Sequence, residues 1–447
     1  MNVLASYRDV VRNVELTRRI GYVQQILGLA VEAEGPDVGV GEMCGIARQA
    51  HSAHGIKTGE LLAEVVSVRP GRVTLMPYGS VEGLSVGAEV VARGRLSQIG
   101  VGDGLLGRTI DGFGNPLDGL PMPQVGQYRP LRSAPLNPML RPRIDSVMET
   151  GIRAIDGLLT IGRGQRVGIF AGSGVGKSTL LGAIVRNADA QVRVIALIGE
   201  RGREVREFIE KQIGPQGLKS TVIVVATSDQ PALSRLRAAY AALAIAEHFR
   251  DQGKQVLLTM DSVTRLAMAR REVGLSSGEP PTARGYTPSV FAELPELCER
   301  CGTSDRGGAI TALFTVLVDG DDLNEPISDS LRAILDGHIV LSRQIANRGQ
   351  YPAIDVLKSA SRLMSDLTTP EQRQLATEAI RILDVLERNR QMIDIGAYEK
   401  GSSPEIDHAL TVEKPLRNWL RQGDEGMRRL DALRALVSIV GVEGGKR

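Results

Sequence analysis

The sequence predicts an α/β protein with a small β-barrel at its N-terminal end and a helical domain at its C-terminal end. Three observations carry this. Short β-rich runs separated by turn residues fill residues 20–93. From residue 166 apolar strand-like runs alternate with helical stretches, as in a mostly parallel sheet covered on both faces. From residue 365 the apolar spacing is helical. A chain of 447 residues exceeds what one core serves, so several domains are expected.

Taken in order, residues 1–19 place Val3, Leu4, Tyr7, Val10, Val11 and Val14 on one helical stripe, with Arg8, Asp9, Arg12 and Asn13 opposite. Such a stripe packs on its own domain or docks on a partner, and spacing does not choose between them. Runs at 61–68 and 72–78, split by Pro70-Gly71 and followed by Gly79, Gly83 and Gly87, give the barrel. A Gly/Pro-rich connection covers 102–142, its clearest turn at Gly112-Phe-Gly-Asn-Pro116. The α/β domain extends over 94–364, with strands expected at 166–170, 192–198, 222–226, 256–260 and 310–318, and a helix at 233–249. In the C-terminal domain, 365–447, Thr369, Pro370 and Gln372 supply an N-cap, a first-turn proline and a capping-box glutamine. Leu375, Ala379, Ile382, Leu383 and Leu386 line one face of the helix that follows, and Ser403-Pro404-Glu405 starts another in the same way.

Composition excludes several classes. Lys+Arg 54 against Asp+Glu 52 gives no global attraction to nucleic acid or anionic lipid, and 3% aromatics argues against a base-stacking surface. Three cysteines are too few for a disulfide framework, which favours a reducing cytoplasm. No apolar run reaches the roughly 18–20 residues of a membrane span, and charges at the N-terminus interrupt any signal-peptide core. A cytoplasmic protein with at most peripheral membrane association is expected.

The strongest chemical signal is Ala171-Gly-Ser-Gly-Val-Gly-Lys177-Ser178, between a strand and a helix bearing Leu180, Leu181, Ile184 and Val185. Glycines let backbone N–H groups turn toward phosphate oxygens, and the helix dipole favours the anion. Gly172, Ser173, Gly174, Val175, Gly176, Lys177, Ser178 and Thr179 are therefore expected to hold ATP. Lys177 faces the β/γ-phosphates, and the Ser178 hydroxyl ligates Mg²⁺. The apolar strand ending in Asp261 offers the second Mg²⁺ ligand. Glu200, directly after a strand, is the best-placed carboxylate to activate water; Glu204 and Glu207 compete, on a helix expected to be solvated.

Several blocks together resemble the catalytic subunit of rotary ATP synthases. They are Leu106-Gly-Arg-Thr-Ile-Asp-Gly-Phe-Gly-Asn-Pro-Leu-Asp118, Ile161-Gly-Arg-Gly-Gln-Arg166, the phosphate loop, Gly199-Glu-Arg201, Asp261-Ser-Val-Thr-Arg265 and Tyr351-Pro-Ala-Ile-Asp355. Within that superfamily the chain is most similar to the ATPases of type III protein export. The marks are Gly199-Glu-Arg-Gly-Arg-Glu-Val-Arg-Glu-Phe208, Gly278-Glu-Pro-Pro281, Gly285-Tyr-Thr-Pro-Ser-Val-Phe-Ala-Glu-Leu-Pro295 and Ala397-Tyr-Glu-Lys-Gly-Ser402.

The resemblance implies a RecA-like P-loop domain, Glu200 as the catalytic glutamate, and Arg201 and Arg265 around the γ-phosphate. It implies that Tyr351 stacks on adenine and that Arg362 is an arginine finger for a neighbouring subunit. One polypeptide carrying both Glu200 and Arg362 then fits a homohexamer. Implied partners are a dimeric negative regulator at the N-terminal helix, a coiled-coil central stalk protein, an export gate and cargo–chaperone complexes, with the protein peripheral at the inner face of the cytoplasmic membrane. The expected function is ATP hydrolysis energising export of unfolded protein. The contexts of Thr227-Ser-Asp-Gln-Pro231 and residues 349–355 favour the flagellar apparatus over the virulence injectisome. A rotary proton-pump subunit is disfavoured by the short C-terminal domain without an acidic lever loop, and an RNA translocase by the scarce aromatics and balanced charge.

Other groups carry less. Cys298-Glu-Arg-Cys301 lacks the second ligand pair a zinc site needs and is expected to pack. His51 and His54 lie in an expected loop, and Asp319-Gly-Asp-Asp322 reads as a turn at a strand end.

Overall fold

The computed structural model describes residues 18–52, 55–318, 320 and 322–441. The stripe at 3–14, His54, Asp319 and Asp321 lie outside these residues, as does the His51 side chain.

Six strands form the barrel: β1 (Ile20–Leu27), β2 (Ala30–Glu34), β3 (Glu42–Ser52), β4 (Gly55–Arg69), β5 (Arg72–Pro77) and β6 (Glu89–Leu96). They close in the order β1-β2-β5-β4-β3-β6, all neighbours antiparallel. The period-2 pattern sends Val23, Val31, Cys44, Ile46, Ala63, Val65, Val73 and Leu75 into the interior, and closure leaves no exposed edge. His51 belongs to β3, so the loop expected there is a long hairpin.

The Gly/Pro-rich stretch after the barrel does more than connect. β7 (Gln98–Val101) and β9 (Gln127–Pro130) pair as an antiparallel ribbon, and β8 (Thr109–Ile110) joins the edge of the central sheet. Strands of two to four residues are too short to show a period, which hid them in the sequence. The Gly112–Pro116 turn is held by the Asp111 carboxylate, which accepts the N–H of Phe113 at 2.8 Å and of Asn115 at 2.9 Å.

The central sheet adds β10 (Arg166–Ala171), β11 (Val192–Glu200), β12 (Thr221–Thr227), β13 (Gln255–Asp261), β14 (Gly302–Thr303), β15 (Ala309–Leu317), β16 (Gly337–Leu341) and β17 (Ala360–Ser361). Its order is β17-β16-β10-β15-β13-β11-β12-β8, parallel from β16 through β8. β14 and β17 add antiparallel pairings. The five expected strands are present as near-continuous apolar runs buried on both faces; β14, β16 and β17 were not anticipated.

The helix Ala232–Asp251 is buried around almost its whole circumference, between the sheet and the connection from the barrel. Its Arg237 donates to Gly112 O and Gln98 O, each at 2.9 Å, and its guanidinium stacks 4.1 Å over Phe113. Ser234 Oγ donates to the Tyr78 carbonyl at 3.0 Å. Barrel and sheet are thereby fixed to each other.

Helices Pro370–Arg388, Pro404–Leu420 and Arg429–Val440 form the C-terminal layer. The capping box at Thr369 and Gln372 is formed. Ser403 precedes the second helix as expected, but its side chain makes no cap bond. Asp407 in its first turn instead accepts the Tyr398 hydroxyl at 3.0 Å and the Gly401 N–H at 2.9 Å, tying the preceding loop to the helix. One apolar core joins these helices to the helix Lys177–Asn187 that follows the phosphate loop. Among the described residues no helix is long and apolar enough to cross a membrane.

Candidate active site

The phosphate loop leaves the C-terminal end of β10 and enters the helix Lys177–Asn187. Leu180, Leu181, Ile184 and Val185 bury the helix against the sheet, and Val175 anchors the loop beneath. Gly176 adopts φ +92°, left-handed backbone that a side chain would strain; a Cβ there would also sit 3.4 Å from the Tyr351 ring. No side chain caps this helix, so its first-turn N–H groups, those of Lys177, Ser178 and Thr179, are free of intrahelical partners and face outward. Ser173, Gly174, Ser178 and Thr179 are exposed, whereas Gly172 is buried.

Parallel pairing brings three strand ends to this loop. β11 and β13 run in register, Leu197 opposite Asp261. A bulge at the end of β11 follows from Gly199 at φ +71°. A Cβ on Gly199 would lie 2.9 Å from Arg265 Cβ, so only glycine lets the two chains approach here. The bulge sets Glu200 beside the loop: Lys177 Nζ is 3.6 Å from Glu200 Oε1 and also pairs with Asp261 Oδ1. Asp261 is buried, and Thr315 Oγ1 donates to its Oδ1 at 2.7 Å.

Burial pushes the Glu200 carboxyl above its ordinary range. Lys177 pulls it down, the Asp261 charge and a hydrogen bond with Glu204 push it further up, and Arg265 opposes them. A half-buried carboxylate poised this way beside a phosphate loop is equipped to take a proton from water. Glu207 pairs with Lys211 at 2.6 Å on the surface, as expected of a solvated helix. Glu204 differs from that expectation: its carboxyl reaches Glu200 instead of facing only solvent.

The arginines divide. Arg265 opens the helix Val263–Ser276, capped by Ser262, and its Nε is buried without a hydrogen-bond partner. That unmet donor beside Glu200 fits a polyphosphate oxygen. Arg201 is largely exposed and faces Glu204 at 3.5 Å. Tyr351 is half-exposed over Gly176, its carbonyl held by the Gln422 N–H at 2.8 Å from the C-terminal domain. This leaves an exposed aromatic face next to the phosphate loop.

Arg362 stands elsewhere. Its N–H donates to Asp336 O at 3.0 Å, and the Asp336 N–H donates to Arg166 O at 2.9 Å. Arg362 is therefore level with the first residue of β10, whereas the phosphate loop follows the last. Five strand rises separate those ends by roughly 17 Å. The fold does not bring Arg362 to the Lys177 of its own chain.

For a divalent cation the chain offers the Ser178 hydroxyl and the Asp261 carboxylate. Few protein oxygens beside a phosphate cradle suit Mg²⁺, which takes its remaining ligands from phosphates and water. Thr315 was missed in the sequence; its signal is a hydroxyl in a buried strand, Ala309–Leu317, whose only other polar side chain is Thr311 near the opposite end. Cys298 and Cys301 are free and buried, with burial pushing both thiols up, Cys301 to about 12, as packing residues should behave.

Comparison with known proteins follows the same three-part division. Residues 23–94 match the ATP synthase alpha/beta family, beta-barrel domain, and residues 151–361 the nucleotide-binding domain of that family. Residues 368–437 match the T3SS EscN ATPase C-terminal domain. The chain is 51% identical over 436 residues to the flagellum-specific ATP synthase of Bacillus subtilis, covering 97% of this chain and 98% of that one. It is 46% identical over 407 residues to the type 3 secretion system ATPase of Xanthomonas euvesicatoria, covering 91% of each. The assembled ATPase EscN from the enteropathogenic E. coli type III secretion system superposes with a TM-score of 0.88 at 44% identity, over 94% of this chain and 100% of that one. The same ATPase in complex with its central stalk EscO superposes with a TM-score of 0.85, also at 44% identity and over the same shares of the two chains.

Proposed function

The chain belongs to the ATP synthase alpha/beta family, among its type III protein-export ATPases, and from that premise we propose that it hydrolyses Mg-ATP to energise export of unfolded proteins through the flagellar apparatus. The observation that carries the chemistry is the meeting of Lys177, Glu200 and Asp261 beside the phosphate loop, at the ends of β10, β11 and β13. The loop N–H groups and Lys177 hold the β/γ-phosphates. Ser178 and Asp261 hold Mg²⁺, which neutralises charge on the phosphoryl oxygens when bound. Glu200 Oε1 orients the attacking water and accepts its proton. Arg265 and Arg201 stabilise charge at the γ-phosphate, and Tyr351 stacks on adenine. The low exposure of Lys177 and Asp261 strengthens these interactions relative to bulk water.

Arg362 lies at the opposite end of β10 from its own loop, which supports service to a neighbouring subunit and hence a ring of identical chains with sites between them. The superposition on an assembled ATPase and on its complex with a central stalk supports a homohexamer around a coiled-coil stalk. The remaining partners are a dimeric regulator at residues 1–19, an export gate and cargo–chaperone complexes, reached by peripheral association with the inner face of the cytoplasmic membrane. Identity near 50% to flagellum-specific relatives over almost the whole chain favours the flagellar system over an injectisome.

The test is genetic and enzymatic. Deleting the gene should abolish export of flagellar subunits and motility, and the wild-type chain should restore both where Glu200→Gln does not. Intact motility with loss of a virulence secretome would assign the injectisome instead.

A further inference from the structure

Gln165 immediately precedes β10 and is fully buried, yet no substrate group is within its reach, since it lies at the strand end away from the phosphate loop. Its amide is fully engaged. Oε1 accepts the Gly162 N–H at 2.8 Å, and Nε2 donates to Asp336 O at 3.0 Å and to Ser361 Oγ at 3.2 Å. Ser361 Oγ in turn donates to Thr160 O at 2.7 Å. Both Nε2 partners adjoin Arg362: Ser361 precedes it in the chain, and Asp336 O also accepts the Arg362 N–H at 3.0 Å.

The backbone around Arg362 is otherwise lightly held. β17 pairs with β16 at two positions, Gly337 with Ser361 and His338 with Ala360. The arginine itself is exposed, with Nη2 donating to Arg332 O at 2.9 Å. A long side chain that reaches across an interface depends on where its Cα is fixed, and a displacement of about 1 Å costs on the order of 10²-fold in rate. We propose that Gln165 is a positioning residue for Arg362: its amide reaches past β16 to tie the Ser361–Arg362 segment to the start of β10 and sets where the guanidinium meets the adjoining subunit's site. This rests on the reading of Arg362 as an arginine acting between subunits.

The test uses full-length Gln165→Met, which keeps volume and removes the amide, and Ser361→Ala, which breaks the same contact from its other end. Each should lower kcat by roughly 10- to 100-fold while KM for ATP stays within about two-fold. In an Arg362→Ala background neither should slow turnover further. Gln165→Met mixed with Glu200→Gln should regain activity, and mixed with Arg362→Ala should not. Additive losses in the Arg362→Ala background, or rescue by Arg362→Ala but not by Glu200→Gln, would overturn the assignment. If Gln165→Met fails to fold, Ser361→Ala with Arg362→Ala decides the same question. The premise is read separately: Glu200→Gln mixed with Arg362→Ala, assembly verified, regains no activity if Arg362 does not act in trans, while the double substitutions still report on positioning.

Discussion

The Lys177 ammonium lies 3.6 Å from the Glu200 carboxylate while it also pairs with Asp261, so one cation serves two acids from different strands. Removing it should abolish turnover and weaken nucleotide binding. Lys177→Ala deletes the charge that meets the β/γ-phosphates and leaves Glu200 and Asp261 repelling each other. A loss of at least about 10²-fold in phosphate release is expected, together with weaker binding of a fluorescent ATP analogue. Near-normal hydrolysis would remove the phosphate loop from the mechanism.

Glu200→Gln keeps shape and loses the base. It should bind ATP normally and turn over roughly 10²- to 10⁴-fold more slowly. The pH profile adds a second reading. Burial, the Asp261 charge and Glu204 hold the Glu200 carboxyl above its ordinary range against Lys177. As pH falls through that raised value the base is protonated and kcat/KM declines, so the acidic limb should begin above the usual carboxylate pKa of about 4.3. Glu200→Gln should lack this limb. If Glu204→Gln instead gave the slow, ATP-binding enzyme, Glu204 would be the base.

Thr315 holds Asp261 Oδ1 by a 2.7 Å hydrogen bond from a fully buried strand. Thr315→Val keeps the volume and removes that hydroxyl. The Mg²⁺ concentration giving half-maximal ATPase rate should rise by about 10- to 100-fold, the range for groups that orient a metal ligand. An unchanged Mg²⁺ dependence would show that Asp261 needs no such support or holds no metal.

Arg362→Ala should bind ATP and lose on the order of 10³-fold or more in rate. In the wild-type chain, specific activity should rise with protein concentration until rings assemble, as monitored by light scattering. Activity independent of concentration from the monomer upward would place each site within one subunit.

The N-terminal stripe gives a binding prediction. Each apolar side chain buried in a complex contributes about 1.5–3 kcal/mol. Val10→Asp with Val14→Asp should therefore weaken a complex with the dimeric regulator by orders of magnitude and leave the thermal midpoint of the isolated protein unchanged. A marked fall in that midpoint would show that the stripe packs on its own domain.

Much of this molecule is readable without coordinates because local chemistry dictates it. Glycine at the phosphate loop, apolar runs buried on both faces, and Thr369-Pro370 with Gln372 are short-range signals, and each produced the expected element. The loop alone singles out Lys177, and their places at strand ends single out Asp261 and Glu200; the structure brings all three together.

What the tertiary structure alone decided concerns residues far apart in sequence. Parallel register brings Asp261 to Lys177, and the Gly199 bulge turns Glu200 toward the same ammonium. The hydroxyl of Thr315 becomes meaningful only when β15 lies beside β13. Strands as short as β8 and β17 carry no period of their own and exist because longer neighbours supply their hydrogen bonds. β17 fixes Arg362 roughly 17 Å from its own phosphate loop along β10, the length of five strand rises. Side-chain pattern determines which segments form strands and loops; the strand order, set by packing the whole core, determines which strand ends meet.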